Sequence, residues 1–374
     1  MKYFTKEVKI AIVAIVGLVV LFLGMNFLKG LELFSSDNRY YISFRDISGL
    51  SSSSPIYADG YKVGVVRGIV YDYTQSKDII VEAVIRLPED GKFDYADGSH
   101  WDSVIKGFTD FGITPVAIEP MPDELHEHIK RGDAFRDQSI ERVISMFPHM
   151  QAHGIHTICF NFMAHIGWLR TNSAFPERGG AKVTEFNIKD FKPTSAKITA
   201  DELWSNYEYF VKAVVPYAEK YNIKLGLHPD DPPLPRLGDV ERIMISKENI
   251  KKAVYGFVNS ECLGITMCQA NYFIMGEDLE RTIEEFADRI FMVHFRNTTG
   301  KPEHFRETFH DNGDIDMAKV MRAYVKNGVN VPIRVDHVPT MAGERSTLAG
   351  YDAMGRLFAI GYLKGILDGI RDDT

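Results

Sequence analysis

The sequence predicts an α/β protein, mainly a (β/α)8 TIM barrel that lacks its first strand and is preceded by a transmembrane helix and a small β module. Three observations carry this expectation. An apolar run opens the chain, turn-rich β segments follow it, and from residue 93 short apolar runs alternate with helix-like stretches. The domains expected are an anchor over 1–30, a β module over 31–92 and the barrel over 93–374. The chain's 374 residues carry 43 Lys+Arg and 51 Asp+Glu, a net charge of −8. That balance excludes the basic face a nucleic-acid binder needs. With 45% hydrophobic and 25% charged residues, wholesale disorder is excluded too. Three cysteines, Cys159, Cys262 and Cys268, are too few for a disulfide framework.

Residues 10–28 read IAIVAIVGLVVLFLGMNFL, with Asn26 as the one strongly polar side chain. About 20 apolar residues span a bilayer, and a signal-peptide core is shorter and ends in a small-residue cleavage site. Lys2, Lys6 and Lys9 precede the run, which puts the N-terminus on the cytoplasmic side. The segments YYISF (residues 40–44), YKVGVVRGIVYDY and DIIVEAVIRL then read as strands. The stretch GLSSSSPIYADGYKVGVVRGI resembles the mammalian-cell-entry (MCE) domain in Gly49-Leu50, Pro55 and the turn from Gly60 to Gly64. That resemblance implies a ring-forming module that binds lipid and passes it between membranes. The β pattern stops near Leu87, short of a full domain of that kind.

Beyond residue 93, strands are expected at 113–119, 157–163, 223–228, 263–268, 290–295 and 332–336, with helices at 200–220, 277–288 and 317–326. Thr199-Ala-Asp-Glu opens the first of these helices like a capping box. No GxGxxG follows the first strand, so a dinucleotide fold has no support. Reactive residues decide for the barrel. Four strands run into His228, Cys268, His294 and Asp336, successive members standing 40, 26 and 42 positions apart. A barrel gathers all its strand C-termini on one face. One thiolate, two imidazoles and a carboxylate suit Mn²⁺, Fe²⁺, Co²⁺ or Zn²⁺.

These residues lie in stretches that resemble the mannonate dehydratase family: HPDDPPLPRLGDVERI (228–243), GITMCQANY (264–272), MVHFRN (292–297), HDNGDIDM (310–317), VDH (335–337) and AGYDAMGR (349–356). CFNFM (159–163) and WLRT (168–171) fit upstream, so the resemblance covers about 101–370. It implies a Mn²⁺- (or Fe²⁺/Co²⁺-) dependent hydro-lyase of glucuronate catabolism. Such an enzyme removes water from D-mannonate to give 2-keto-3-deoxy-D-gluconate. Position by position, it implies His228, Cys268, His294 and Asp336 as metal ligands, and His337 and Tyr351 as the catalytic pair. Removing the C2 proton adds charge to an anion, so a cation must steady that charge. A base must take the proton, and an acid must protonate the departing C3 hydroxyl. Which of His337 and Tyr351 does which stays open.

Arg296 is expected to meet the substrate carboxylate with its planar fork, with Arg170 as the second such residue and His310 reaching the sugar hydroxyls. Glu119 is expected at the same face, and Asp314 as a helix cap. Asp230 and Asp231 are expected to orient a ligating His or shape a turn. His126, His128, His149 and His153 read as surface residues. A homo-oligomer is compatible with the sequence. The family's first strand and helix have no counterpart, as in a fusion of two truncated proteins. Location conflicts as well, because the anchor predicts a C-terminal part outside the cytoplasm whereas the family works inside it. The alternative reading is a membrane-anchored lipid-transport subunit carrying the barrel as an inert passenger.

Overall fold

A computed structural model describes residues 38–44, 54–58, 61–71, 79–85 and 93–372, apart from 345 and 347. The apolar run 10–28 lies outside the described residues. Among those described, no helix is long and apolar enough to cross a membrane. The chain divides into two units, with the boundary near residue 95.

In the first unit, the β-rich runs form a four-stranded antiparallel sheet. Its order is Asn38–Phe44, Ile79–Ile85, Tyr61–Tyr71, Pro55–Ala58. Period-two segments give this arrangement.

The second unit holds a six-stranded parallel sheet, ordered Ala117–Ile118, Thr157–Phe160, Lys224–Leu227, Leu263–Cys268, Ile290–His294, Ile333–Arg334. All six expected strands are present, and each pairs with its neighbour in sequence. Helices cross between them, as in a singly wound barrel. Every residue of Thr157–Phe160, Leu263–Cys268 and Ile290–His294 is buried, which is why these strands read as continuous apolar runs rather than alternating ones. The first and last strands are linked at their C-terminal ends by an ion pair between Glu119 and Arg334. Among the described residues, no further strand lies between them.

The helix Ala200–Tyr221 shows how sequence fixes the outer layer. Thr199 accepts from the Glu202 amide at 3.2 Å, and its own amide donates to the Glu202 carboxylate at 2.8 Å. Leu203, Tyr207, Phe210, Val211, Val214, Val215 and Ala218 form a buried stripe at helical spacing. Phe210 packs edge-on against Phe160, and Tyr207 against Phe162. Burying each such large side chain contributes about 1.5–3 kcal/mol.

Two local expectations are corrected. The helix Met317–Lys326 is capped by Asp316, which accepts from the Lys319 amide at 2.9 Å. Asp314 instead binds Thr299 Oγ1 at 2.6 Å. His126 is 2% exposed, not a surface residue. Its ring bonds the Pro122 carbonyl, and burial pushes its pKa down to about 3.

One layer was not expected at all. Strands Asn172–Pro176, Lys182–Asn187, Thr298–Lys301 and His304–Glu307 form an antiparallel sheet. They belong to the loops after the 157–160 and 290–294 strands, so the sheet stands at the C-terminal face of the barrel. Phe186 and Phe305, opposite one another in register, anchor it with Leu234, Leu237 and Ile274.

Gly264 sits in the strand that delivers Cys268, and a Cβ there would collide with the Arg289 carbonyl and the Phe291 ring. Overpacking of this kind costs about 1–3 kcal/mol. Gly264→Ala is therefore expected to lower stability by about that much in urea denaturation. An unchanged midpoint would show that the two strands are not packed this closely.

Candidate active site and metal centre

Strand register builds the centre. Cys268 and His294 are direct partners in the parallel ladder, and His294 in turn pairs with Arg334. Leu227 pairs with Ile265 one strand over, so His228 emerges on the same face. The ligand atoms of His228, Cys268 and His294 all lie within 4.8 Å of one another. Three of the four donors expected, from three adjacent strands, thus converge.

The state of these donors fits a cation. His294 is 2% exposed, and neither ring nitrogen has a hydrogen-bond partner. Two orphaned nitrogens on one buried imidazole are costly unless something else engages them. His228 Nδ1 faces the Pro229 carbonyl at 2.6 Å. It therefore carries the hydrogen, and Nε2 keeps a lone pair. A thiol and two imidazoles form a donor set for a borderline divalent ion.

Asp336 stands beside this trio rather than inside it. One carboxylate oxygen is 3.6 Å from His294 Nδ1 and 3.0 Å from Arg296 Nε. Its backbone is left-handed, with φ of 60°, a conformation non-glycine residues seldom hold without a functional reason. Burial works against its charge, yet His337, His294, Arg296 and Arg334 keep its pKa well below the usual carboxylate range.

His337 and Tyr351 are together, with Nε2 2.8 Å from the phenol oxygen. Burial lowers the imidazole's pKa, against the pull of Asp336 and Glu307. Burial, with Asp336 adding to it, raises the phenol's. The Trp168 ring lies 5.1 Å from that of His337. Trp168, His228, His294, Asp336, His337 and Tyr351 share one cavity of about 430 Å³.

The three expected substrate contacts are not on that cavity's wall. Arg296 is fully buried, and its guanidinium is shared among Asp231 at 2.7 Å, Glu307 and Asn271, with Cys268 Sγ 3.4 Å from Nε. Burial opposes its charge, but Cys268, Glu307, Asp231 and Asp336 hold its pKa well above the ordinary value. Arg170 grips both Asp231 oxygens, at 2.6 and 3.0 Å, and Glu307 at 2.5 Å. His310 is buried, with Nε2 on the Val335 carbonyl at 2.9 Å. Each is spent on the protein itself. The acidic pair after His228 divides in the same way. Asp231 joins the two arginines, whereas Asp230 accepts the Ile243 and Met244 amides and shapes the turn.

The arginines that do line the cavity are Arg334 and Arg356. Arg334 is paired with Glu119. Arg356 lies over the Tyr351 ring at 5.4 Å and, among the described residues, makes no ion pair. Sequence reasoning assigned neither a role, nor Glu307 or Asn271. The GITMCQANY and AGYDAMGR stretches already contained Asn271 and Arg356, but Glu307 sits in an unrecognised strand.

Comparison with known proteins agrees with this geometry. The D-mannonate dehydratase (UxuA) family matches residues 80–200 and 188–374. Residues 2–35 match a domain of unknown function, DUF8434. Mannonate dehydratase from Oceanobacillus iheyensis is 32% identical over 295 residues, covering 70% of this chain and 83% of its own. The crystal structure of mannonate dehydratase from Streptococcus suis serotype 2 superposes with a TM-score of 0.67 at 29% identity, covering 73% of this chain and 81% of that one. A D-tagatose 3-epimerase-like protein, 14% identical with a TM-score of 0.51 over 75% of this chain and 86% of its own, shares the fold.

Removing one partner of a buried ion pair costs about 3–5 kcal/mol, because the other charges are left uncompensated. Arg296→Met is therefore expected to destabilise the metal-free protein by about that amount. A loss as small as that of a surface pair, under about 1 kcal/mol, would mean that the Asp231–Glu307 cluster is solvated rather than locked.

Proposed function

This chain belongs to the D-mannonate dehydratase family, and on that premise we propose how its own residues perform the reaction. The activity is loss of water from D-mannonate to give 2-keto-3-deoxy-D-gluconate. The proposal concerns the cation, the site residues and the part of the chain before residue 93. The observation that carries it is the meeting of His228, Cys268 and His294, with both His294 nitrogens orphaned, in the cavity that also holds His337 and Tyr351.

In this reading His228, Cys268 and His294 hold a divalent ion of the Mn²⁺, Fe²⁺ or Co²⁺ kind, with Asp336 as the carboxylate donor beside them. Bound there, the ion supplies Lewis-acid stabilisation of the charge that grows as C2 is deprotonated. The remaining work falls to the protein. His337 and Tyr351 touch one another, so one proton can be taken from C2 and one delivered to the departing C3 hydroxyl within a single short chain. Trp168, tilted against the His337 ring and edge-on to that of Tyr351, keeps water from the pair. Arg296 and Arg170 keep Asp231 and Glu307 ionised and fixed, so the substrate carboxylate falls to Arg356, the cavity cation that has no acidic partner among the described residues. His310 supports the Asp336 strand end through Val335.

For residues 38–85, the antiparallel sheet supports a small β module of the MCE kind. The apolar run 10–28 before it stands as a proposed membrane anchor.

The full chain supplied with Mn²⁺ is expected to convert D-mannonate to a 2-keto acid, to lose that activity on chelation and to regain it with metal. Cys268→Ser is expected to bind much less metal; unchanged metal content would remove the thiolate from the set. Losing a charge-assisted contact costs about 1.5–3 kcal/mol. Arg356→Met should therefore raise KM roughly tenfold to a hundredfold with a smaller effect on kcat. An unchanged KM would exclude Arg356 as the carboxylate's partner.

A further inference from the structure

A deeply buried acidic group beside the cavity is one the chemistry above leaves without a part. Glu307 ends the strand His304–Glu307 and is 1% exposed. A single oxygen, Oε1, gathers three donors: Arg170 at 2.5 Å, Arg296, and the His337 ring through Nδ1 at 3.1 Å. An ionised carboxylate only accepts hydrogen bonds. In a neutral imidazole one nitrogen donates and the other accepts, so facing Glu307 makes Nδ1 the donor. Nε2, 2.8 Å from the Tyr351 oxygen, then presents a lone pair, and the phenol donates to it.

We infer that Glu307 is a positioning residue: clamped by Arg170 and Arg296, it fixes His337 as the Nδ1–H tautomer and aims an accepting Nε2 at the Tyr351 hydroxyl. The resting pair then has its mobile proton on Tyr351 and its vacant acceptor on His337. The two arginines have a defined part in this. A buried carboxylate without cations would take up a proton and become a donor, and the ring would turn over to the opposite tautomer. With guanidinium groups on the same oxygen, it stays an acceptor. The role of the His337–Tyr351 pair is taken from the proposed dehydratase reading; the tautomer itself is a property of the protein alone.

The test therefore has two arms. Nitrogen-15 NMR of the full-length, metal-free chain with labelled histidine reads the two ring nitrogens of His337, assigned by loss of the signals in His337→Gln. The expected result is a protonated Nδ1 and a bare Nε2 in the native chain, and a mixture or reversal in Glu307→Gln. An Nε2–H tautomer in the native chain overturns the inference. In the second arm, with Mn²⁺ and D-mannonate, Glu307→Gln is expected to lower kcat roughly a hundredfold or more at little change in KM, as partner loss beside a catalytic imidazole does. Glu307→Asp, which keeps the charge, is expected to recover part of that loss. Unchanged kcat in Glu307→Gln also overturns the inference. Should Glu307→Gln fail to fold, the native tautomer alone decides. Absence of turnover in the native chain would count against the dehydratase reading and leave the tautomer arm standing.

Discussion

In-register pairing of parallel strands is the constraint on which the rest of the molecule depends. Cys268 and His294 are ladder partners, and the His228 strand is held level with them through Leu227 and Ile265. A side chain at the last position of each strand has no further sheet to pack on, so it turns toward the space above the barrel. A one-residue slip would send it to the opposite face. The close strand contact at Gly264 protects that register.

Above the strand ends lies a second layer of organisation, made of charge. Arg170 and Arg296 meet Asp231 and Glu307 where water is excluded. Such clusters contribute little net stability against an apolar core of the same shape. What they do here is hold geometry. Asp231 follows His228 by three residues, Glu307 faces His337, and Arg296 reaches both Cys268 and Asp336. The antiparallel sheet supplies this layer, because Glu307 ends one of its strands and Arg170 stands two residues before another.

Much of the barrel was legible in the sequence because its signals are local. Apolar runs ending in His228, Cys268, His294 and Asp336 marked the strands, Thr199 and Glu202 marked a helix start, and the helix 317–326 has the bounds its pattern suggests. The partners of the arginines were not legible, since Arg170 and Glu307 are 137 residues apart and Arg296 and Asp231 are 65 apart. A planar fork near a ligating His reads equally well as a substrate clamp or an internal brace, and only burial separates the two. Asp314 and Asp316 posed a similar choice, decided by which of them stands one residue before the helix. The covering sheet escaped notice because its strands are only four to six residues long and its two hairpins join across more than a hundred positions.

Sulfur coordination is the central claim, since Cys268 is the one thiol among the proposed donors. X-ray absorption at the metal edge of the full chain loaded with one equivalent of Zn²⁺ measures it directly. The account predicts one sulfur neighbour at about 2.3 Å together with imidazole nitrogens at about 2.0–2.1 Å. A shell of oxygen and nitrogen alone would contradict it.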